Sequence, residues 1–350
     1  MSEYAAGRSP STSALMSASR IGPVRRGSGR SGAVVTSVFE SARGPGWPGS
    51  ADARGAATDR PTTLAAVPNR SEPRVVVVGG GHNGLVAAGL LAKRGARVTV
   101  LERREVVGGA AITEQPWGPD YRMTALSYVV SLMPPTIVRE LRLDRHGYRI
   151  FPQGPYFAPR ADGRALRLPD DPAARRAEIA RFSTADADAY ERWEEWLGGL
   201  ADVLGPLLTA TPPAIGSHRP SDLLDQAALA WRLRGLDQRR VADATRLFAS
   251  SIADLVEDRF ESDALRGVLS VSGVIGTWAG PRSAGTAYVM AHHKIGDVGD
   301  GKVGAWGFPE GGMGAVTRAL ADAAASFGAV IRTDAEVQRI QVRNGRATGV

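Results

Sequence analysis

Gly79, Gly81 and Gly84 stand at G-x-G-x-x-G spacing with Gly80 and Asn83 among them, and Glu102 follows about twenty residues on, an arrangement that fits dinucleotide recognition. The first glycine of such a run permits a tight turn. The second lets a pyrophosphate approach the backbone, and the third lets the next helix pack closely on the preceding strand. A carboxylate at the position of Glu102 accepts hydrogen bonds from the ribose of the adenosine half, and its charge repels a 2′-phosphate.

That chemistry needs elements to position it. Val75 to Val78 is a short, wholly apolar, β-branched run, as expected of a central parallel strand buried on both faces. From Asn83 to Lys93 the residues Leu85, Val86, Leu90 and Leu91 recur at helical spacing, while Ala88 and Gly89 keep the strand contact small. The free N–H groups and positive end of this helix then face the phosphates. Gly95 is placed to end the helix as a left-handed cap, and Arg97 to Leu101 forms the second strand, which delivers Glu102. The bland alternative is an ordinary βαβ unit with a glycine turn. A bare glycine motif would not decide between them, whereas strand, glycines, helix, strand and acid in order favour a dinucleotide site.

Past Glu102 and Arg103 the chain reads Val107-Gly108-Gly109-Ala110-Ala111-Ile112-Thr113. This resembles the second glycine pair of the flavin amine-oxidase and phytoene-desaturase superfamily, where the pair lies beside the diphosphate and ribityl chain of FAD. Backbone without Cβ can close on an extended ligand. Many members carry an arginine where this chain has Ala110, which puts one phosphate contact in doubt. Trp306-Gly307-Phe308-Pro309-Glu310-Gly311-Gly312-Met313-Gly314 resembles the P-x-G-G-M segment of the same superfamily. Val316, Leu320, Ala323 and Phe327 then make a helical stripe, Gly328 caps it, and Ala329 to Arg332 begin a strand. The resemblance places a backbone contact to adenine at Val337. With the phrases SGVIGTWAGP and YVMAHHKIGDVGDGKVGAWG it covers residues 74 to 350 and is similar to the phytoene-dehydrogenase-like branch, to which the name pyridine nucleotide-disulphide oxidoreductase domain also attaches. It implies non-covalent FAD, held by Gly79, Gly80, Gly81, Asn83, Gly84, Glu102, Arg103, Gly108, Gly109 and Val337. It also implies hydride transfer at a carbon centre of an apolar small molecule; because a single dinucleotide fingerprint is present, oxygen, a quinone or another group is expected as acceptor. A non-catalytic FAD-binding regulator and a nicotinamide-dependent dehydrogenase are the alternatives.

The chain has no cysteine, so thiol-disulphide chemistry and cysteinyl flavin attachment are excluded within its 350 residues. Residues 1–70 hold nine arginines against Glu3, Glu40, Asp52 and Asp59, which is +5 of the total +7 and leaves +2 for residues 71–350. No basic stripe interleaved with aromatics accompanies that charge, which argues against nucleic acid as a partner. Arginine outnumbers lysine 40 to 3, as a GC-rich coding sequence would give. Residues 1–70 are rich in Ser, Gly, Ala, Pro and Arg without apolar periodicity, so a disordered basic tail is expected. Its composition also matches a mitochondrial transit peptide, which would place the protein in the matrix; otherwise a bacterial cytoplasm is expected. No apolar core of a secretory signal and no run of about 18 apolar residues appears, so membrane contact is at most peripheral.

Between the two flavin-like segments the pattern is mostly helical. Ser183 to Asp186 starts a helix bearing Tyr190, Trp193, Leu197, Leu200 and Leu204 on one face, and a further stripe runs Val241, Ala244, Phe248, Ile252, Leu255 and on to Phe260. Both stripes fit ordinary core better than an apolar tunnel. Gly296 to Lys302 imitates a phosphate loop, but Val303 replaces the magnesium-holding hydroxyl and Gly304, Gly307 and Pro309 break any following helix. His292 and His293, read on a strand, point to opposite faces and cannot share a metal, so each is a structural hydrogen-bonding residue or, with Lys294, a candidate base. Catalytic residues are not assigned, and no metal site is expected.

The fold expected is therefore α/β: a Rossmann-like three-layer FAD-binding domain from residues 71–125 and 305–350, with a largely helical substrate or cap domain at 126–304. Glu336 to Val342 and Arg346 to Val350 read as the arms of a hairpin turning at Asn344-Gly345. The resembled family continues well beyond this hairpin, so the resemblance implies a C-terminally truncated chain with apolar surface on the insertion left uncovered.

Overall fold

A computed structural model describes residues 33–36, 74–298 and 304–350. Strand β1 (Ala33–Thr36) lies parallel to β2 (Arg74–Val78), which is followed by helix α1 (His82–Lys93) and strand β3 (Arg97–Leu101). Short strands β4 (Thr113–Glu114) and β5 (Met123–Thr124) come next, then α2 (Pro135–Leu141), β6 (Ile150–Pro152), β7 (Tyr156–Pro159) and β8 (Ala165–Leu168). Seven helices follow: α3 (Pro172–Ala180), α4 (Thr184–Leu204), α5 (Pro220–Leu233), α6 (Gln238–Ala249), α7 (Ile252–Glu257), α8 (Asp263–Val274) and α9 (Thr286–Lys294). The chain closes with β9 (Gly307–Pro309), α10 (Met313–Ser326), β10 (Val330–Arg332), β11 (Gln341–Arg343) and β12 (Arg346–Gly349).

The main sheet is parallel, in the order β1-β2-β3-β10. Strand β2 reaches its central place because α1 returns the chain to lay β3 on one side, and α10 later returns it to lay β10 beyond β3. One face of the sheet, Val75, Val77, Val98 and Val100, is buried against Ala88 and Ala92 of α1 and Ala324 of α10. The opposite face is only partly covered, so Val76 and Val78 are half-buried where the sequence predicts burial on both sides. Among the described residues, this sheet thus carries a helical layer, α1 and α10, on one face. Ala33 to Thr36 corrects the expectation of a wholly disordered tail: a run of four residues, three of them β-branched, adds a parallel edge to β2. The other residues of that tail lie outside the described ones.

A second core gathers Leu166, Leu168, Ile179, Tyr190, Trp193, Leu197, Leu200 and Leu204 with residues of α6 to α9. Helix α4 starts as predicted, with the Ser183 hydroxyl accepting from the Asp186 N–H at 3.0 Å. Asp186 itself is buried, and its two carboxylate oxygens accept the N–H groups of Glu261 at 2.7 Å and Ser262 at 2.9 Å, fixing the start of α8 against α4. Asp186→Ala should cost about 2–4 kcal/mol by stranding both amides. A drop of several degrees in Tm is the expected result, and an unchanged unfolding midpoint would show that these bonds carry nothing.

The second predicted stripe is corrected in its first half. Leu247 is the fully buried residue of α6, while Val241 and Phe248 stand about half exposed, at 50% and 54%. The helix stops at Ser250, and Ser251 with Asp254 forms a reciprocal capping box that starts α7 on a new axis. Periodicity therefore does not carry across the break. Ile252, Leu255 and Phe260 are buried as expected. His292 and His293 are also corrected: they lie on α9, where Ala287, Met290 and Ala291 at helical spacing enter the core. The hairpin forms at Asn344-Gly345, both with positive φ, but its first arm begins at Gln341 rather than Glu336. Of the phosphate-loop imitation, Gly299 to Val303 lie outside the described residues.

Candidate functional site

The turn between β2 and α1 is built on glycine. Gly79 takes φ +96°, and its N–H donates to the Leu101 carbonyl at 2.8 Å, which holds the turn against the end of β3. The Gly81 carbonyl receives the first helical bond, from Leu85 N–H at 2.9 Å. The preceding amides of His82, Asn83 and Gly84 therefore have no intrahelical acceptor. No acid occupies this first turn, so its partial positive charge remains available to an anion. A Cβ built on Gly84 would lie 2.3 Å from the Gly79 carbonyl oxygen and 3.2 Å from Val77 Cγ1. That contact is the close helix-strand approach predicted for the third glycine. Asn83 is exposed on the same turn.

The second glycine pair lies alongside the first. Gly108 N–H donates to the Gly80 carbonyl at 2.8 Å, and Gly81 and Gly108 form a parallel β-bridge. Gly108 has φ +132°, and a Cβ there would meet Ile112 Cγ2 at 2.6 Å and the Ala111 carbonyl oxygen at 2.7 Å. A Cβ on Gly109 would lie 3.2 Å from Gly81 Cα. Two strips of backbone are thus set edge to edge with no side chain between them. Thr317 Oγ1 donates to the Ala111 carbonyl at 3.0 Å, and Thr113 Oγ1 accepts the Gly314 N–H at 3.0 Å. These bonds lock the Gly311-Gly312-Met313-Gly314 segment and the start of α10 onto the second pair.

Glu102 is 6% exposed. Its Oε2 accepts the Gly80 N–H at 2.7 Å and its Oε1 accepts the Arg104 N–H at 3.0 Å. The carboxylate predicted to meet a ribose therefore has an internal task as well, tying the glycine turn to the end of β3, and it keeps lone pairs for further donors. Backbone pairing continues past it: Glu102 N–H to Arg332 O at 2.8 Å, Asp334 N–H to Arg104 O at 3.0 Å, and Ala335 N–H to Glu102 O at 2.9 Å. A cavity of about 630 Å³ opens there, lined among others by Leu101, Ala335, Glu336, Val337 and Arg339. It lies off the carboxyl ends of β3 and β10, where open α/β sheets hold their ligands. The structure therefore brings Gly79, Gly80, Gly81, Gly84, Gly108 and Gly109 into one cradle with Glu102, and sets Val337 in the adjoining cavity. Arg103 is exposed just beyond.

His82 is a residue that the sequence reading passed over. It opens α1 beside the glycine turn, and partial burial lowers its imidazole pKa below the ordinary histidine value. Its only sequence signal was its place inside the glycine run. On α9, the Ser272 carbonyl lies 2.8 Å from His293 Nδ1 and can only accept, so that nitrogen carries the proton, and the ring packs on Trp306 at 5.2 Å. Lys294 pairs with Glu194 at 2.7 Å. These contacts give His293 and Lys294 structural tasks.

Residues 77–139 match the NAD(P)-binding Rossmann-like domain family. Over 296 residues the chain is 36% identical to pyridine nucleotide-disulfide oxidoreductase domain-containing protein 2 of Mus musculus, covering 80% of this chain and 51% of that one. It is 34% identical over 296 residues to phytoene dehydrogenase of Streptomyces griseus, covering 79% and 50%. Among solved structures, an oxidoreductase from Methanosarcina mazei is similar at TM-score 0.44 and 17% identity, over 78% of this chain and 54% of that one. The chain spans about half the length of the curated relatives it matches.

Proposed function

We propose that the chain, similar over about half their length to pyridine nucleotide-disulfide oxidoreductase domain-containing protein 2 and to phytoene dehydrogenase, is a phytoene-dehydrogenase-like FAD oxidoreductase that binds FAD non-covalently and moves a hydride to or from a carbon centre of an apolar substrate. The observation that carries this reading is the edge-to-edge pairing of Gly80-Gly81 with Gly108-Gly109. A nicotinamide dinucleotide needs only the first turn. A second Cβ-free strip extends the cradle along a ligand that continues past the pyrophosphate, as the ribityl chain of FAD does. When bound, FAD would supply hydride acceptance, and the protein would supply orientation and electrostatics. The amides of His82, Asn83 and Gly84 would face the diphosphate, and Glu102 would take the ribose hydroxyls. In this reading residues 71–125 and 305–350 hold the cofactor, and 126–304 face the substrate. Phe151 and Phe308, register partners across β6 and β9 and about half exposed at 50% and 45%, support an apolar ligand.

Acid precipitation of the flavin-loaded protein tests the cofactor. FAD is expected in the supernatant; colour retained in the pellet, or no flavin taken up at all, overturns the reading. Electron flow is tested by rapid mixing. One dinucleotide fingerprint is present, so oxygen, a quinone or another non-nicotinamide acceptor is expected to reoxidise the flavin. Fast, saturable bleaching by NADH or NADPH would show that a nicotinamide site exists. A flavin that stays oxidised with every reductant and donor offered would instead mark a non-catalytic FAD-binding protein.

A further inference from the structure

The chain has three asparagines, and two of them, Asn83 and Asn344, are followed by glycine. Asn-Gly loses its side-chain amide more readily than other asparagine pairs, because glycine presents its backbone nitrogen with no Cβ in the way. The two pairs stand in opposite settings. Asn83 is the second residue of α1, and Gly84 is buried. Helical backbone directs the Gly84 nitrogen away from the Asn83 side chain, and the 2.3 Å between a Cβ at Gly84 and the Gly79 carbonyl oxygen leaves little room for rotation. Asn344 and Gly345 are exposed at the tip of the β11-β12 hairpin, with φ +51° and +72°. The register joins Arg343 to Arg346, so both turn residues lie beyond the last paired position, and a Cβ on Gly345 would meet no atom within 4 Å.

That setting permits a complete reaction with water as the sole co-reactant. The Gly345 backbone nitrogen attacks the Asn344 side-chain carbonyl carbon; a C–N bond forms, the bond to the side-chain nitrogen breaks, and ammonia leaves carrying the proton of the Gly345 amide. A water molecule then opens the resulting five-membered imide. Attack at the former side-chain carbonyl yields aspartate. Attack at the main-chain carbonyl yields isoaspartate, in which the backbone runs through the side-chain carbon and is longer by a methylene. The two products differ in what they do to the hairpin. Asp-Gly suits the same two-residue turn as Asn-Gly, and its charge would sit between Arg343 and Arg346, both exposed. A methylene inserted into the backbone of a two-residue loop instead displaces the pairing of Arg343 with Arg346. The arms carry Gln341 and lead to Val350, which line the cavity off the ends of β3 and β10 together with Val337.

We propose that Asn344 is a site of spontaneous deamidation whose isoaspartyl product opens the hairpin wall of this cavity, while Asn83 is shielded by the fold. The effect on cofactor retention, and that alone, rests on the FAD reading. Ageing the whole chain in warm, mildly alkaline buffer tests the site by peptide mass spectrometry, with electron-transfer fragmentation to tell isoaspartate from aspartate. In the folded chain Asn344 is expected to convert on the order of tenfold or more faster than Asn83, and in denaturant the two should convert at similar rates. Trypsin should cleave the aged chain faster after Arg339 and Arg346, a readout that needs no flavin. Asn344→Gly, which keeps a favoured turn pair and cannot form the imide, should age without that change, and Asn344→Asp should be cleaved like the unaged parent. FAD titration of the aged parent should show two classes of site, one of the original affinity and one weaker, the weaker share matching the isoaspartyl fraction. The aged Asn344→Gly chain should show a single class. An Asn344 that keeps its amide in the folded chain, or converts no faster than Asn83, overturns the proposal. So does isoaspartate at 344 with tryptic cleavage and FAD affinity both unchanged. A fresh chain that takes up no flavin would refute the FAD reading instead and leave the mass-spectrometric and tryptic results to decide the site.

Discussion

Gly84→Ala is expected to lower FAD affinity by a hundredfold or more and to reduce stability by about 1–3 kcal/mol, the usual range for forcing an extra methyl into close packing. The added carbon would sit 2.3 Å from the Gly79 carbonyl oxygen. Both atoms cannot remain where they are. Because the obstructing atom is backbone, no side chain can swing away; relief requires α1 to move off β2. That movement carries the amides of His82 and Asn83 away from the Gly79-Gly81 turn, and anion binding at a helix end depends on those amides being aimed together. Flavin titration read alongside thermal unfolding separates the two effects. Gly198→Ala provides the control: it lies within α4, no atom comes within 4 Å of a Cβ there, and the change should be neutral or slightly stabilising with FAD affinity unchanged. If Gly84→Ala binds FAD like the parent, the turn is not the phosphate cradle.

What was legible in the sequence follows from the range of the interactions concerned. Val75 to Val78, the glycine turn, α1 and β3 are specified by neighbours within a few residues, so spacing alone located them to within a residue. The stripe on α4 was legible for the same reason, since one uninterrupted helix of 21 residues preserves its phase. The stripe through Phe248 was not. Two serines at 250 and 251 end one helix and cap another, and the axis change turns Leu247 inward and Phe248 outward to stack on Tyr288 at 4.6 Å. His292 and His293 sit in a run of β-branched and aromatic residues that looks extended, yet Ala287, Met290 and Ala291 gain burial only as a helix. Strand β1 shows the converse: four residues within a polar tail join the sheet because β2 offers an open parallel edge.

The candidate site divides along the same line. The glycines could be picked out because their need for missing Cβ atoms is written in residue type. Their mutual placement, Gly108 N–H on the Gly80 carbonyl across a gap of 28 positions, is a tertiary fact for which only the family resemblance gave warning. The double task of Glu102 and the lowered imidazole pKa of His82 were not visible, because both depend on how the turn folds back on β3.

That double task changes what substitution of Glu102 should reveal. Glu102→Ala removes any ribose contact, about 1.5–3 kcal/mol for a charge-assisted bond, and so weakens FAD roughly 10- to 150-fold. It also strands the Gly80 N–H, which donates to Oε2 at 2.7 Å, so stability should fall by about 1–3 kcal/mol and the turn itself should loosen. A weaker FAD complex from this variant alone cannot tell ribose recognition from a slack glycine turn. Glu102→Gln separates them. Its amide oxygen can still accept from Gly80, holding the glycine turn, while the charge and the acceptor of the Arg104 N–H are lost. Comparing FAD with FMN completes the test, because FMN lacks the adenosine ribose but still presents a phosphate to the cradle. Ribose recognition by Glu102 requires Glu102→Gln to weaken FAD about tenfold while leaving FMN unchanged. Equal weakening of both ligands would assign the carboxylate to the turn alone and would leave the adenosine half to the Val337 cavity.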